Sequence, residues 1–375
     1  MRNLFRGAYE NKTVLVTGHT GFKGSWLTLW LRSLGAKVVG YSLEPPTEPN
    51  LFTAARVGEG IEDLRGDVRD FASLAKAVRE SRPDLVFHLA ALSIVRESYL
   101  EPLDTYATNI MGTVHVLEAV RQMSGRCCIV NITSDKCYDN RGWAYAYREN
   151  DPMGGNDPYS SSKGCAELAA AAYRHSFFPP QRYDQHGKAM VVARSGNVIG
   201  GGDWAVDRLV PDLVRSVSRG EPLGVRNPAS TRPWQHVLEP LSGYLWLGAI
   251  LCEGKMNLDL AWNFGPHAGD NLTVREVVEA LLAAMGRGRW VDLSEQSAAD
   301  YRHEESALRL DCTKSATVLK WRPVWTIGDA LQATARWYQG YYEQRSFDAR
   351  EFTLRQMEEY CQQARRGKLA WACDQ

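Results

Sequence analysis

The chain carries no excess of either charge: 44 Lys and Arg balance 44 Asp and Glu over 375 residues. A nucleic-acid partner needs a positive field, so the balance argues against one. There is no uninterrupted apolar run of membrane-spanning length, and the start, Met1 to Gly7, lacks the apolar stretch of a secretory leader. The eight cysteines include no CxxC pair, and Cys127 and Cys128 are adjacent in an apolar segment. Cysteines so placed do not form a disulfide framework and are expected to be reduced core residues, Cys137 among them. No internal repeat, low-complexity tract or metal site is expected. These absences lead to the expectation of a cytoplasmic protein without a membrane or nucleic-acid partner.

What is present begins with a 44% apolar content, enough for a large core and for two domains or lobes. The twelve tryptophans are expected mostly in that core. Val14-Leu15-Val16 is a short apolar strand, followed by Thr17-Gly18-His19-Thr20-Gly21-Phe22-Lys23-Gly24 and by a helix-compatible run from Ser25 to Leu34. Three glycines at this spacing give a tight turn, close approach of backbone amides to a pyrophosphate, and close helix–strand packing. The alternation then repeats. Strands are expected at 37–41, 84–89 and 127–132, and helices at 71–80 and 111–123. The pattern predicts an α/β fold, a doubly wound parallel sheet of the Rossmann type. Glu351 to Arg366 reads as a terminal amphipathic helix.

The last of those strands delivers Ser134 and Asp135 to its carboxyl end, where ligands bind in such sheets. Tyr159 and Lys163, at i and i+4, share one helix face, where an ammonium can lower the phenol's pKa toward the range of a useful base. A YxxxK pair also arises by chance, and a Ser-Asp pair often caps a turn. The glycine turn supplies independent support. Ser134 can hydrogen-bond the hydroxyl that Tyr159 deprotonates, and Asp135 can protonate a second, leaving hydroxyl.

Thr17 to Gly24, Asp67-Val68, Leu89-Ala90-Ala91 and Tyr159 with Lys163 together resemble the extended short-chain dehydrogenase/reductases that act on nucleotide sugars, over nearly the whole chain. Finer stretches are similar to the CDP-D-glucose 4,6-dehydratase branch: TGHTGFKGSWL (17–27), TSDKCYDN (133–140), DPYSSSKGCAEL (157–168), GNVIGGGDW (196–204), DRLVPD (207–212) and RPWQHVLEPL (232–241). The resemblance implies a nucleotide-binding lobe over 1–195 with a returning segment near 234–264. It places a smaller, interleaved α/β substrate lobe in 196–233 and 265–375. It implies a homodimer paired through the Tyr159 helix and the one near 111–123, and a place in deoxysugar biosynthesis.

For chemistry, the resemblance implies that Tyr159 takes the sugar 4-hydroxyl proton, Ser134 orients that hydroxyl, and Asp135 expels the 6-hydroxyl. Ser134 stands where threonine is more usual, and Lys136 where many relatives have a glutamate that removes the C5 proton, so the C5 base is left open. The implied cofactor contacts are Gly18, His19, Gly21, Phe22, Lys23 and Gly24 in the turn, Ser42 after the second strand, Asp67 and Val68 at the adenine, Leu89, Ala90, Ala91 and Thr108, and Tyr159 with Lys163 at the nicotinamide ribose. Asn197, Arg208, Leu209, Val210, Arg232, His236, His303 and Glu304 are the implied nucleotide-sugar contacts. Ser42 is not acidic and no Arg or Lys follows closely, so a 2′-phosphate lacks a cation and NAD is favoured over NADP. The expected substrate is CDP-glucose. A dTDP- or GDP-sugar dehydratase shares Asp135, a 4-epimerase shares Tyr159 and Lys163 but has no need of that acid, and a non-catalytic dinucleotide sensor would not need the Tyr/Lys pair.

Overall fold

A computed structural model of the chain describes residues 1–254, 257–267, 269–270, 272–297 and 308–373, with nothing said of the side chains of 296–297. Seven parallel strands form one sheet. They are β1 (Thr13–Thr17), β2 (Lys37–Ser42), β3 (Glu62–Arg65), β4 (Leu85–His88), β5 (Cys127–Ile132), β6 (Lys188–Ser195) and a closing strand, Ala261–Phe264. Their spatial order is closing strand, β6, β5, β4, β1, β2, β3. The order reverses between β1 and β4, which opens a crevice at the strands' carboxyl ends.

The central strands are apolar runs because helices cover both sheet faces: Val14, Leu15, Val16, Leu85, Val86 and Phe87 are all 0% exposed. The expected third strand, 84–89, is β4 in the chain. The segment before it, Glu62-Asp63-Leu64-Arg65, was not anticipated as a strand, because at the sheet edge β3 needs only backbone pairing with β2 and is mostly exposed. The helix Leu238–Cys252 is apolar nearly all round and buried, and it feeds the closing strand beside β6.

The terminal helix runs Ala349–Arg366 and turns Met357 and Tyr360 into the core. Trp26, Trp30, Trp262, Trp321, Trp337 and Trp371 are fully buried there too. Two short parallel pairs lie outside the main sheet, Leu223–Val225 with Trp290–Asp292 and Val198–Ile199 with Gln235–His236. Among the described residues no helix is long and apolar enough to cross a membrane.

Candidate active site

The glycine turn is pressed between β1 and the exit of β4. Gly18 has φ +76°, and a Cβ on it would lie 2.8 Å from the Ala90 nitrogen; one on Gly24 would overlap the Gly18 carbonyl. Leu89 and Ala90 donate their amides to Thr17 Oγ1 at 3.2 and 3.3 Å, so this loop and the turn form one wall. The helix Phe22–Ser33 then starts with open backbone amides in its first turn, a setting suited to a pyrophosphate.

At the end of β5, Ser134 caps a single turn, Asp135–Cys137: its Oγ accepts from the Lys136 amide at 3.2 Å and donates to Asp135 Oδ1 at 2.9 Å. Tyr159 and Lys163 lie on the helix Pro158–Ser176, which Asp157 caps by accepting from the Ser160 amide at 2.8 Å. Ser134, Asp135, Tyr159 and Lys163 are 8, 3, 8 and 6% exposed. The Lys163 ammonium sits 5.9 Å from the Tyr159 ring centroid. Lys136 follows Asp135, partly buried.

The electrostatics differ from expectation. Burial pushes the Tyr159 phenol up to about 12, against the Ser134 bond and the Arg208 charge, which pull it down. The Lys163 ammonium is destabilised by burial, to about 8, with Glu167 and Cys137 opposing. Desolvation is the dominant influence on both groups.

Lys23 supplies a group that sequence reading treated only as part of the loop. Its Nζ donates to Ser195 Oγ at 3.0 Å, at the end of β6, and Ser195 bonds the Tyr244 hydroxyl at 2.7 Å. Burial, then the charge of Arg208, lowers this ammonium to about 7, while Asp135 opposes the shift. Two buried supports were also missed. Arg194 clasps Glu167 beneath Lys163, and Asn109 ties the Leu92 loop to the Tyr159 helix through Ser162 Oγ at 2.8 Å. Neither belongs to a local motif.

The remaining expected residues divide. Arg208 reaches the cleft, held by Asp203 at 2.9 Å and Ser93 at 2.7 Å. Arg232 Nη1 donates to the Thr231 carbonyl at 3.0 Å, and the Asn197 carbonyl accepts from the Gln235 amide at 3.1 Å. Leu209 and Val210 open the helix Leu209–Arg219; Val210's side chain is 2% exposed in the core, so only its backbone can meet a ligand. His236 is not substrate-facing. It is 0% exposed between the rings of Trp26 and Trp325, and burial pushes its imidazole down to about 3.

His303 and Glu304 lie outside the described residues. Asp67 accepts from the Arg69 amide and Nε at 2.8 Å each, capping the turn after β3. Val68 is buried against Gly112, and Thr108 is partly buried in a π-turn, Ala107–Met111. His19 turns away from the loop into a buried place over Gly40, where its Nε2 meets Asp63 Oδ1 at 2.8 Å. Among the described residues, no group of His, Cys, Asp and Glu is arranged to hold a metal.

A family model described as GDP-mannose 4,6 dehydratase matches residues 15–334. The chain belongs to this family. It is 49% identical over 334 residues to a CDP-glucose 4,6-dehydratase of Salmonella typhimurium strain LT2, covering 89% of this chain and 92% of that protein. Its identity to a dTDP-glucose 4,6-dehydratase of Xanthomonas campestris pv. campestris is 27% over 346 residues, covering 87% and 93%. Among solved structures, a double mutant of the dTDP-glucose 4,6-dehydratase DesIV from Streptomyces venezuelae, with NAD and DAU bound, is 26% identical with TM-score 0.72, covering 88% and 98%. The UDP-glucose 4-epimerase of Thermotoga maritima, at 20% identity and TM-score 0.72 over 88% of this chain and 100% of that one, shares the fold.

Proposed function

We propose that this protein is an NAD-dependent CDP-D-glucose 4,6-dehydratase, converting CDP-D-glucose to CDP-4-dehydro-6-deoxy-D-glucose and water. The observation that carries the reading is Asp135 hydrogen-bonded to Ser134 beside Tyr159 and Lys163, in a chain 49% identical to a CDP-glucose 4,6-dehydratase. Bound NAD would supply a reversible hydride acceptor for the sugar, with no net redox change. The glycine turn and the start of the Phe22–Ser33 helix would hold its pyrophosphate, and Lys163 its nicotinamide ribose. Tyr159 takes the 4-hydroxyl proton while Ser134 holds that oxygen. The resulting 4-ketone acidifies C5–H. Asp135 protonates the 6-hydroxyl as it leaves, a step that a 4-epimerase has no use for. Removal of the C5 proton falls to an amine, Lys136 beside Asp135 or Lys23, whose ammonium is destabilised by burial. Arg208 and the amides of Leu209 and Val210, with Arg232 and Asn197, serve the diphosphate end.

The test is incubation of the protein and NAD with CDP-, dTDP-, GDP- and UDP-glucose. Deuterium placed at C4 of CDP-glucose should appear at C6 of the same molecule, with solvent deuterium at C5. A C4-epimerised sugar that keeps its 6-hydroxyl would sink the assignment.

The division of the chain into a nucleotide-binding lobe over 1–195 and 234–264 and a substrate lobe in the rest belongs to the same reading. So does a homodimer formed through the Tyr159 helix and its neighbours. Leu100, Leu103, Met111 and Leu168 are 74, 82, 47 and 61% exposed on those elements and supply apolar side chains for such a contact. Light scattering on the wild type and on Leu103→Glu with Leu168→Glu tests it; a wild-type monomer refutes the pairing. A reducing, cytoplasmic setting fits eight unbridged cysteines.

A further inference from the structure

Ser42 ends β2, where nucleotide-binding sheets of this type commonly place an acid for the adenosine ribose. The sequence near it offers no cation. The sheet does: Arg65, the last residue of β3, is the partner of Ser42 across the two parallel strands. Its Nη1 donates to the Leu43 carbonyl at 3.1 Å and its Nη2 to Asp63 Oδ2 at 2.9 Å, while Nε lies 3.4 Å from Glu44 Oε1. The guanidinium carbon stands 5.0 Å from the Phe52 ring centroid, which fixes the plane of the fork.

The same cluster reaches the glycine turn twice. Asp63 uses its other oxygen to hold His19 at 2.8 Å, and Thr20 bonds Ser42 Oγ at 2.9 Å and the Leu43 carbonyl at 3.0 Å. Turn, β2 end and β3 end are thereby one hydrogen-bonded unit. A dinucleotide laid along the turn with its adenosine over the end of β2 must pass this unit.

We propose that Arg65 is the residue that contacts the adenosine ribose of the cofactor, and that Glu44 and Asp63, by neutralising it, make the site prefer a ribose diol over a ribose 2′-phosphate. An isolated arginine here would favour the phosphate, which its fork fits in a bidentate way. With two carboxylates against one guanidinium the cluster carries a net negative charge, so a phosphate dianion is repelled while neutral hydroxyls still find donors. The arginine side chain is 32% exposed and so remains open to a ligand. Glu44, 78% exposed and paired at 3.4 Å, is the carboxylate that can be removed without disturbing the fold. Asp63 is not, because it also anchors His19.

The inference rests on the reading of this cleft as a nicotinamide-dinucleotide site, and the test separates the two. NAD and NADP are titrated separately, without sugar, into the wild type, Glu44→Gln, Arg65→Gln and the double variant, following tryptophan fluorescence and heat, with thermal unfolding measured on each. The wild type should bind NAD more tightly than NADP. Glu44→Gln should shift the NADP/NAD affinity ratio toward NADP by about tenfold, the scale of one charge-assisted contact. Arg65→Gln should weaken NAD by a similar factor and abolish the NADP gain in the double variant. Arg65→Lys should restore part of the NADP response but not the NAD affinity, since an ammonium lacks the fork. An unchanged ratio in Glu44→Gln, or unchanged NAD affinity in a folded Arg65→Gln, overturns the proposal. Failure of the wild type to bind either cofactor defeats the reading of the cleft itself.

Discussion

Arg194 grips Glu167 with two parallel hydrogen bonds, Nε to Oε1 at 2.8 Å and Nη2 to Oε2 at 2.9 Å, and the two side chains are 1 and 0% exposed. The pair joins β6 to the helix that carries Tyr159 and Lys163. Thr133, the residue before Ser134, adds a bond to Glu167 Oε1 at 2.5 Å, so the end of β5 is drawn into the same clasp. Strand and helix are thus held in one register at the place where their four reacting groups meet.

Glu167→Gln should leave a buried guanidinium without its counter-charge. Breaking one side of a buried pair commonly costs about 3–5 kcal/mol, so a clear drop in the denaturant midpoint is expected. The Lys163 ammonium, which Glu167 supports, should fall further in pKa. Urea unfolding and the pH profile of kcat check this; a variant as stable as the wild type would show that the clasp is incidental.

Asp135→Asn should separate oxidation from elimination, because an amide cannot deliver the proton that the departing hydroxide needs. Reduced cofactor should accumulate on the enzyme, seen by its absorbance, while dehydration slows by a factor of roughly a hundred or more, the usual worth of a positioned acid. Tyr159→Phe should block the first hydride transfer, with no reduced cofactor formed. Arrest of both variants at one stage would contradict the assigned division of labour.

Lys23 gives a pH signature with a definite sign. Folding lowers its pKa from 10.5 to about 7, chiefly through burial, with Arg208 and Lys163 also disfavouring the proton and Asp135 favouring it. Between those two values the unfolded chain binds more protons, so stability rises with pH across that window and the penalty is fully present below it. Lys23→Met should remove that part of the slope while keeping the aliphatic stem's volume. Denaturant midpoints of both proteins from pH 6 to 10 measure it, and parallel curves would show that the lysine stays charged.

The backbone devices of this protein were legible in its sequence because they are local. A positive-φ Gly18, a Gly24 with no room for a Cβ, and the i, i+4 placement of Tyr159 and Lys163 follow from spacing along one turn or one helix. The apolar central strands announced themselves for a similar reason, since burial on both faces leaves no choice of residue type. Tertiary structure decided the rest. Arg65 stands beside Ser42 only through the register of an edge strand whose residues look like a loop, and Lys23 meets Ser195 only because β6 ends opposite the glycine turn. His236, a polar residue in a segment that resembles a substrate strand, is turned inward between two tryptophans. A side chain's partner, and with it its charge, is set by whichever element packs against it, and the parallel crossovers of this sheet bring those elements together from far apart in the chain.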